Sequence, residues 1–141
     1  MNKNILNDIK CKKYYNFDMK KYNSYKLKFN TKCLIYPDNI QQLKDIIIRC
    51  RENSIKFKVI GECSNLIFES DYDGVLIRLD NINDMKIDGE KVYVEAGYSL
   101  KKLSLKTIHA GLTGLEFACG IPGHIGSALY NNSGAYKSDM G

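Results

Sequence analysis

Apolar positions along the chain fall into short runs with two different periods. Lys32-Cys33-Leu34-Ile35-Tyr36 is a mostly apolar run stopped by Pro37, and it reads as a strand. Beyond it, Ile40, Leu43, Ile47 and Cys50 recur at helical spacing, which predicts a helix over residues 39–52 with one buried face. Asp38 is a suitable N-cap, and Arg49 and Arg51 stand in the last turn, where the helix dipole favours cations. Lys56-Phe57-Lys58-Val59-Ile60 alternates polar and apolar residues as a strand does, and Gly61 ends it. Val75-Leu76-Ile77-Arg78-Leu79 is a further strand, entered through Asp73-Gly74. Met85-Lys86-Ile87 and Val92-Tyr93-Val94-Glu95-Ala96 flank Asp88-Gly89, a pair suited to the positive φ of a tight turn, so they predict a hairpin. Ser99 can cap a helix over residues 100–110 that places Leu100, Leu103, Thr107 and Ile108 on one face, with Gly111 as a left-handed stop.

The resulting order, β-α-β-β-β-β-α and then a glycine-rich segment, predicts an α+β fold: a mixed sheet with covering helices. It does not fit a doubly wound dinucleotide fold. The two glycine-marked loops, 61–65 and 120–126, lie about 60 residues apart and not inside one βαβ unit.

Charge changes the picture at one end only. Residues 1–32 carry nine Lys and two acidic residues, a balance of +7, against −2 for the remaining 109 residues. The lysines are interleaved with Tyr14, Tyr15, Phe17, Tyr22 and Tyr25 in no nucleic-acid-binding pattern. Residues 1–23 are therefore expected to form a basic, solvated arm that partly packs on a domain spanning residues 24–141. Neither nucleic acid nor membrane is expected as a partner. No apolar run approaches the ~20 residues of a membrane span, and the N-terminus has no signal-peptide core, so a cytoplasmic location is expected. Five cysteines without a Cys-x-x-Cys pair argue against a zinc site and a disulfide framework, and two separated histidines do not anchor a metal.

Two loops carry the candidate chemistry. In Gly61-Glu62-Cys63-Ser64-Asn65-Leu66 a strand ends in glycine and offers small polar residues, a composition that can turn main-chain N–H groups into an anion nest or form a plain turn. In the second, Gly120, Gly123 and Gly126 fall three apart around Ile121 and Pro122, so one side of the segment lacks side chains. A helix starting near Gly123 would aim its first free N–H groups at an anion; tight helix packing is the alternative. Tyr130-Asn131-Asn132-Ser133-Gly134-Ala135-Tyr136 follows with amides and hydroxyls. No Gly-Lys-Ser/Thr end marks an ATP-type loop, and Ser64 and Ser133 lack any sign of a paired His and Asp. Asp71 and Asp73 lack calcium-ligand spacing.

Read together, Gly61-Glu62-Cys63-Ser64-Asn65-Leu66, Gly114-Leu115-Glu116, Gly120-Ile121-Pro122-Gly123-x-Ile125-Gly126 and Asn132-Ser133-Gly134-Ala135-Tyr136 resemble the UDP-N-acetylenolpyruvoylglucosamine reductase (UDP-N-acetylmuramate dehydrogenase) family over residues 24–141. The resemblance implies a vanillyl-alcohol-oxidase-type (PCMH-type) FAD-binding domain, here incomplete. It implies FAD as cofactor, NADPH as the family's reductant, and reduction of the enolpyruvyl group of a UDP-sugar in peptidoglycan biosynthesis. By the same resemblance Gly61, Glu62, Cys63, Ser64, Asn65, Leu66, Gly120, Ile121, Pro122, Gly123 and Gly126 line the FAD diphosphate, with Asn132, Gly134 and Ala135 close by along the cofactor. Three departures stand out. Cys63 occupies a usual glycine position, and if φ there is positive a side chain costs about 1–2 kcal/mol. Lys28-Phe29 replaces a Gly-Gly pair after Tyr25-Lys26-Leu27. The family's Tyr-Arg motif, substrate domain, protonating Ser and supporting Glu have no counterpart up to Gly141, so no catalytic residue is carried over and the chain by itself is expected to be inactive. A separate chain carrying the missing substrate domain is the partner this implies. A non-catalytic nucleotide-diphosphate module and a remnant that binds nothing are the competing expectations.

Overall fold

Cys33-Leu34-Ile35 and Val75-Leu76-Ile77 are buried without alternation, which requires cover on both faces of a sheet. The computed structural model, which describes residues 3–141 with side chains from residue 5, places both runs at the centre of one. The chain forms two compact units, Met1–Ile82 and Asn83–Gly141. The first holds strands β1 (Lys12–Asp18), β2 (Asn30–Tyr36), β3 (Phe57–Ile60) and β4 (Tyr72–Arg78), with helix α1 (Ile40–Glu52) between β2 and β3. Strand order is β1-β2-β4-β3, with β1 antiparallel to β2 and the other pairs parallel.

One face of the sheet presents Leu34, Ile60 and Leu76 to Met19, Phe29 and Cys63, with Leu66 and Phe68 packed against them. Phe68 stacks on Phe29 with ring centroids 4.4 Å apart. The chain leaving β3 thus crosses this face before entering β4. Alternation along the strands sends Cys33, Ile35, Val75 and Ile77 to the opposite face, and α1, which bridges β2 and β3, buries Ile46 and Cys50 completely.

The second unit is a hairpin of β5 (Met85–Asp88) and β6 (Lys91–Val94), helix α2 (Leu100–His109), a 3₁₀ turn (Glu116–Gly120), helix α3 (Ile125–Tyr130) and a small hairpin of β7 (Gly134–Ala135) and β8 (Ser138–Asp139). Leu100 and Leu103 pack with Ala118, Ile125 and Ala128, and Met85, Val92 and Val94 lie against that cluster.

Several expectations shift. Lys12–Asp18, read as part of a solvated arm, is the edge strand of the sheet, registered from Lys12↔Tyr36 to Asp18↔Asn30. The first two residues of that expected arm lie outside the described residues. Lysines are natural on an edge, where they discourage pairing with another chain, and the same lysines hid the strand's alternation. Lys13 Nζ also donates to the Leu6 and Ile9 carbonyls at 2.5 and 2.7 Å, and Arg49 clasps Asp8, which ties the N-terminal turn to the sheet and α1.

The N-cap of α1 is Asn39, not Asp38: Asn39 Oδ1 accepts from the Gln42 N–H at 2.9 Å, and Gln42 Oε1 accepts from the Asp38 N–H at 2.8 Å. The buried stripe of α1 centres on Ile46 and Cys50, leaving Ile40 about half exposed. In α2 Ser99 caps as expected, but the inward face is Leu100, Leu103, Ser104 and Thr107, with Ile108 outside. Ser104 is tolerated there because its hydroxyl donates to the Leu115 carbonyl at 2.7 Å. The two-residue turn of the first hairpin is Gly89-Glu90, one position later than read.

All three α-helices end in the same left-handed device. The residue after each C-cap has positive φ, and the next N–H reaches back to the carbonyl of the helix's last turn. Ser54 with Ile55→Cys50 serves α1, Gly111 with Leu112→Thr107 serves α2, and Asn132 with Ser133→Ala128 serves α3.

Burial of two acids makes the fold alkali-sensitive. Burial pushes the Cys33 thiol from 9.0 to about 12 and the Tyr36 phenol from 10.0 to about 12. The unfolded chain therefore releases protons that the folded chain retains, so these groups contribute stability in full below pH ~9 and lose it as pH rises toward 12. The urea midpoint should fall steadily across that window, and an alkaline titration at 295 nm should show one tyrosine ionising only as the fold is lost.

Candidate functional site

Loop 61–66 follows directly on β3, whose last residue Ile60 is paired with Arg78 of β4. Cys63 adopts φ +54°, so the conditional cost of a side chain there applies, and it is 4% exposed within the cluster of Met19 and Phe29. Its backbone strain of about 1–2 kcal/mol is offset by burial of the side chain. Burial also pushes the thiol pKa up, with the Arg78 charge acting in the opposite direction. Glu62 and Asn65 are exposed, and Ser64 is half-buried. The Cys63 carbonyl accepts from the Ser24 N–H at 3.3 Å, which pins the loop. Among the described residues, the N–H groups of Cys63, Ser64, Asn65 and Leu66 donate to no carbonyl or side chain. Four successive uncommitted amides on a loop anchored from below are the donor set an oxyanion needs.

The second segment, 120–126, differs from expectation. A helix does begin there, with His124 as N-cap of α3, but its first amides are occupied. Ile125 N–H donates to the Tyr98 carbonyl at 2.9 Å and Gly126 N–H to the Ala96 carbonyl at 2.8 Å. The Ile121 N–H goes to Ala118, and Pro122 has none. The Ile125 and Gly126 amides are thus committed within the fold, as the packing alternative expects. Gly126 is glycine for packing, since a Cβ there would stand 2.8 Å from the Ala96 Cβ. Gly120 is different, because a Cβ there would meet nothing within 4 Å, and Gly123 has φ +117°, which a side chain rarely adopts. Gly120 and Pro122 are exposed and Ile121 is half-buried, whereas Gly123 is buried.

The last expected residues have structural roles that the glycine pattern did not reveal. Asn132, at φ +46°, is the left-handed stop of α3, and Gly134–Ala135 is β7. The turn that follows places Tyr136 and Lys137 at φ +54° and +67°, with the Tyr136 ring 85% exposed. Sequence reasoning also passed over Arg78 at the end of β4. It donates to both carboxylate oxygens of Asp80, from Nε at 2.8 Å and from Nη2 at 2.6 Å, and its guanidinium lies 5.8 Å from the Tyr36 ring centroid. The only signal was an arginine closing an apolar run two residues before an aspartate. Asp71, weighed as a calcium ligand, accepts from the Asn30 N–H at 2.7 Å. Among the described residues no group of three or more His, Cys, Asp or Glu side chains could hold a metal ion, and no helix is long and apolar enough to cross a membrane.

Residues 31–141 match the family model of the FAD binding domain. The chain belongs to that FAD-binding domain family. Curated relatives include the UDP-N-acetylenolpyruvoylglucosamine reductases of Clostridium botulinum, 40% identical over 123 residues, and of Caldicellulosiruptor bescii, 36% identical over 123 residues. Each alignment covers 86% of this chain but only 40% and 39% of the respective relative, so the chain spans about two fifths of their length. Among solved structures, the UDP-N-acetylenolpyruvylglucosamine reductase from Thermus caldophilus superimposes with TM-score 0.71 at 26% identity, over 92% of this chain and 45% of that one. A BBE-like 1 variant from Physcomitrella patens, at TM-score 0.55 and 13% identity over 75% of this chain and 25% of that one, shares the fold alone. These matches support the PCMH-type fold and FAD as the family's cofactor.

The two glycines of the second segment should separate on mutation. Gly126→Ala forces Ala96 aside and should destabilise the protein by roughly 1–3 kcal/mol. Gly120→Ala meets open space and should change stability by less than about 0.5 kcal/mol. Urea melts of both variants without ligand check this, and equal costs would contradict the packing role assigned to Gly126.

Proposed function

We propose that this chain binds FAD through its diphosphate, as the flavin-binding part of a UDP-N-acetylenolpyruvoylglucosamine reductase-type protein. The uncommitted amides of loop 61–66 carry the reading. Cys63, Ser64, Asn65 and Leu66 offer N–H donors, the Ser64 hydroxyl adds another, and Gly61 lets the strand turn sharply into the loop. The Glu62 carboxylate points away from the phosphates. Gly120, Ile121 and Pro122 offer the close, side-chain-poor approach, with the buried Gly123 turning the chain and Gly126 packing beneath them. Asn132, Gly134 and Ala135 shape the adjoining turn along the cofactor.

Bound FAD supplies the hydride-transfer chemistry of such a protein. This chain's residues bind and orient it, and none is assigned a catalytic role. In this reading NADPH is the reductant and the enolpyruvyl group of a UDP-sugar the acceptor, on the way to UDP-N-acetylmuramate. The substrate domain and the proton donor then belong to the share of the relatives' length that this chain does not align with, on the same or a separate chain.

Titration of FAD with the purified chain should change flavin fluorescence and shift its absorbance band. ADP, which shares the diphosphate, should compete, while riboflavin, which lacks phosphate, should not. A flavin spectrum unaffected by the folded chain at high micromolar concentration would favour a remnant that binds nothing. Displacement by riboflavin but not by ADP would instead remove the diphosphate from the recognition.

A further inference from the structure

The sheet brings a nearly buried cation to the end of the strands from which loop 61–66 departs. Arg78 closes β4, and in the parallel ladder its partner is Ile60, the residue immediately before Gly61. The side chain is only 11% exposed, so its position is fixed by neighbours and not by solvent. Two of its hydrogen bonds, from Nε and Nη2, run side-on to the Asp80 carboxylate. The guanidinium plane also lies over Tyr36, which the Lys12 ammonium approaches from 5.7 Å.

This arrangement orients the fork. Asp80 occupies the Nε–Nη2 edge, and among the described residues the Nη1 end donates to no carbonyl or side chain. An arginine held on one edge by a carboxylate keeps donors and charge for a second oxyanion, and its planar geometry suits phosphate oxygens. By strand alternation Arg78 lies on the same sheet face as Leu76 and its partner Ile60, the face on which Cys63 packs. A cation on the face that carries those four amides can add a charge-assisted bond where neutral donors alone would act.

We propose that Arg78 is a phosphate-binding residue, its Nη1 end contacting the same anion that the amides of loop 61–66 hold, with Asp80 and Tyr36 as the positioning residues that aim it. The proposal deepens the diphosphate reading given above and rests on it. The competing role is purely structural, a buried ion pair that locks the end of β4.

The test compares the 141-residue chain with the double variant Arg78→Gln/Asp80→Asn, which removes both charges together and leaves no unpaired ion, and with Arg78→Lys. Thermal unfolding without ligand verifies the fold. Affinity is measured for FAD by fluorescence and for inorganic pyrophosphate by ligand-dependent thermal shift, each at several salt concentrations. A phosphate contact predicts at least a tenfold loss for both probes in the double variant, a flatter dependence on salt, and partial recovery in Arg78→Lys. Affinities within twofold of the parent chain, or a loss with unchanged salt dependence, overturn the proposal while leaving the flavin reading intact. Should the double variant not fold, Arg78→Lys decides: a loss of threefold or more for both probes supports the contact, and affinities within twofold of the parent chain overturn it. A parent chain that binds pyrophosphate but not FAD sinks the flavin reading and leaves Arg78 to be judged on pyrophosphate. Binding of neither probe sinks both.

Discussion

The insertion of β4 in parallel between β2 and β3 is the constraint from which the first unit follows. Two adjacent parallel strands cannot be joined by a tight turn. The chain that leaves β3 at Gly61 must return to the opposite end of the sheet before Tyr72 can begin β4. With α1 already serving the β2-to-β3 connection, the return is made by irregular chain over the face that presents Leu34 and Leu76. Its apolar residues, Cys63, Leu66 and Phe68, hold it down, and its polar ones are left at the surface. The uncommitted amides of 63–66 are thus a product of topology: backbone that belongs to neither helix nor sheet, yet is fixed in place by the core beneath it.

Cys63 shows how that fixation is achieved at some energetic cost. Glycine would adopt φ +54° freely, but it would give the core nothing to grip. A cysteine accepts about 1–2 kcal/mol of backbone strain and returns a buried sulfur in contact with the cluster of Met19 and Phe29. A rigid loop loses less entropy when a ligand docks, so strain and binding are compatible here. The second segment reaches rigidity differently, by bonding its own amides to the carbonyls of Ala96 and Tyr98 and letting Gly126 sit against Ala96.

Much of the fold was legible because period and punctuation agree. The apolar runs at 33–35 and 75–77, the helix caps at Ser99 and Gly111 and the hairpin near Gly89 all carry local physical signals. What escaped was decided by partners remote in sequence. β1 is polar and lysine-rich because it is an edge, and only its pairing with β2 makes it a strand. The inward faces of α1 and α2 are turned relative to the apolar count because Ser104 finds the Leu115 carbonyl and Ile40 finds no cover. Spacing located the glycines of 120–126 but could not distinguish Gly126, which packs, from Gly120, which opens space. Arg78 was invisible as a site residue because its significance lies in being registered with Ile60.

The position of β1 bears on where this protein can safely be cut. The family match begins at residue 31, inside β2 and downstream of β1. A recombinant piece trimmed to that boundary would strip the lysine-bearing border from the sheet and bare the hydrogen-bonding rim of Cys33-Leu34-Ile35, an apolar template for self-association. Residues 12–18, which the family model leaves out, are the ones that cover that rim.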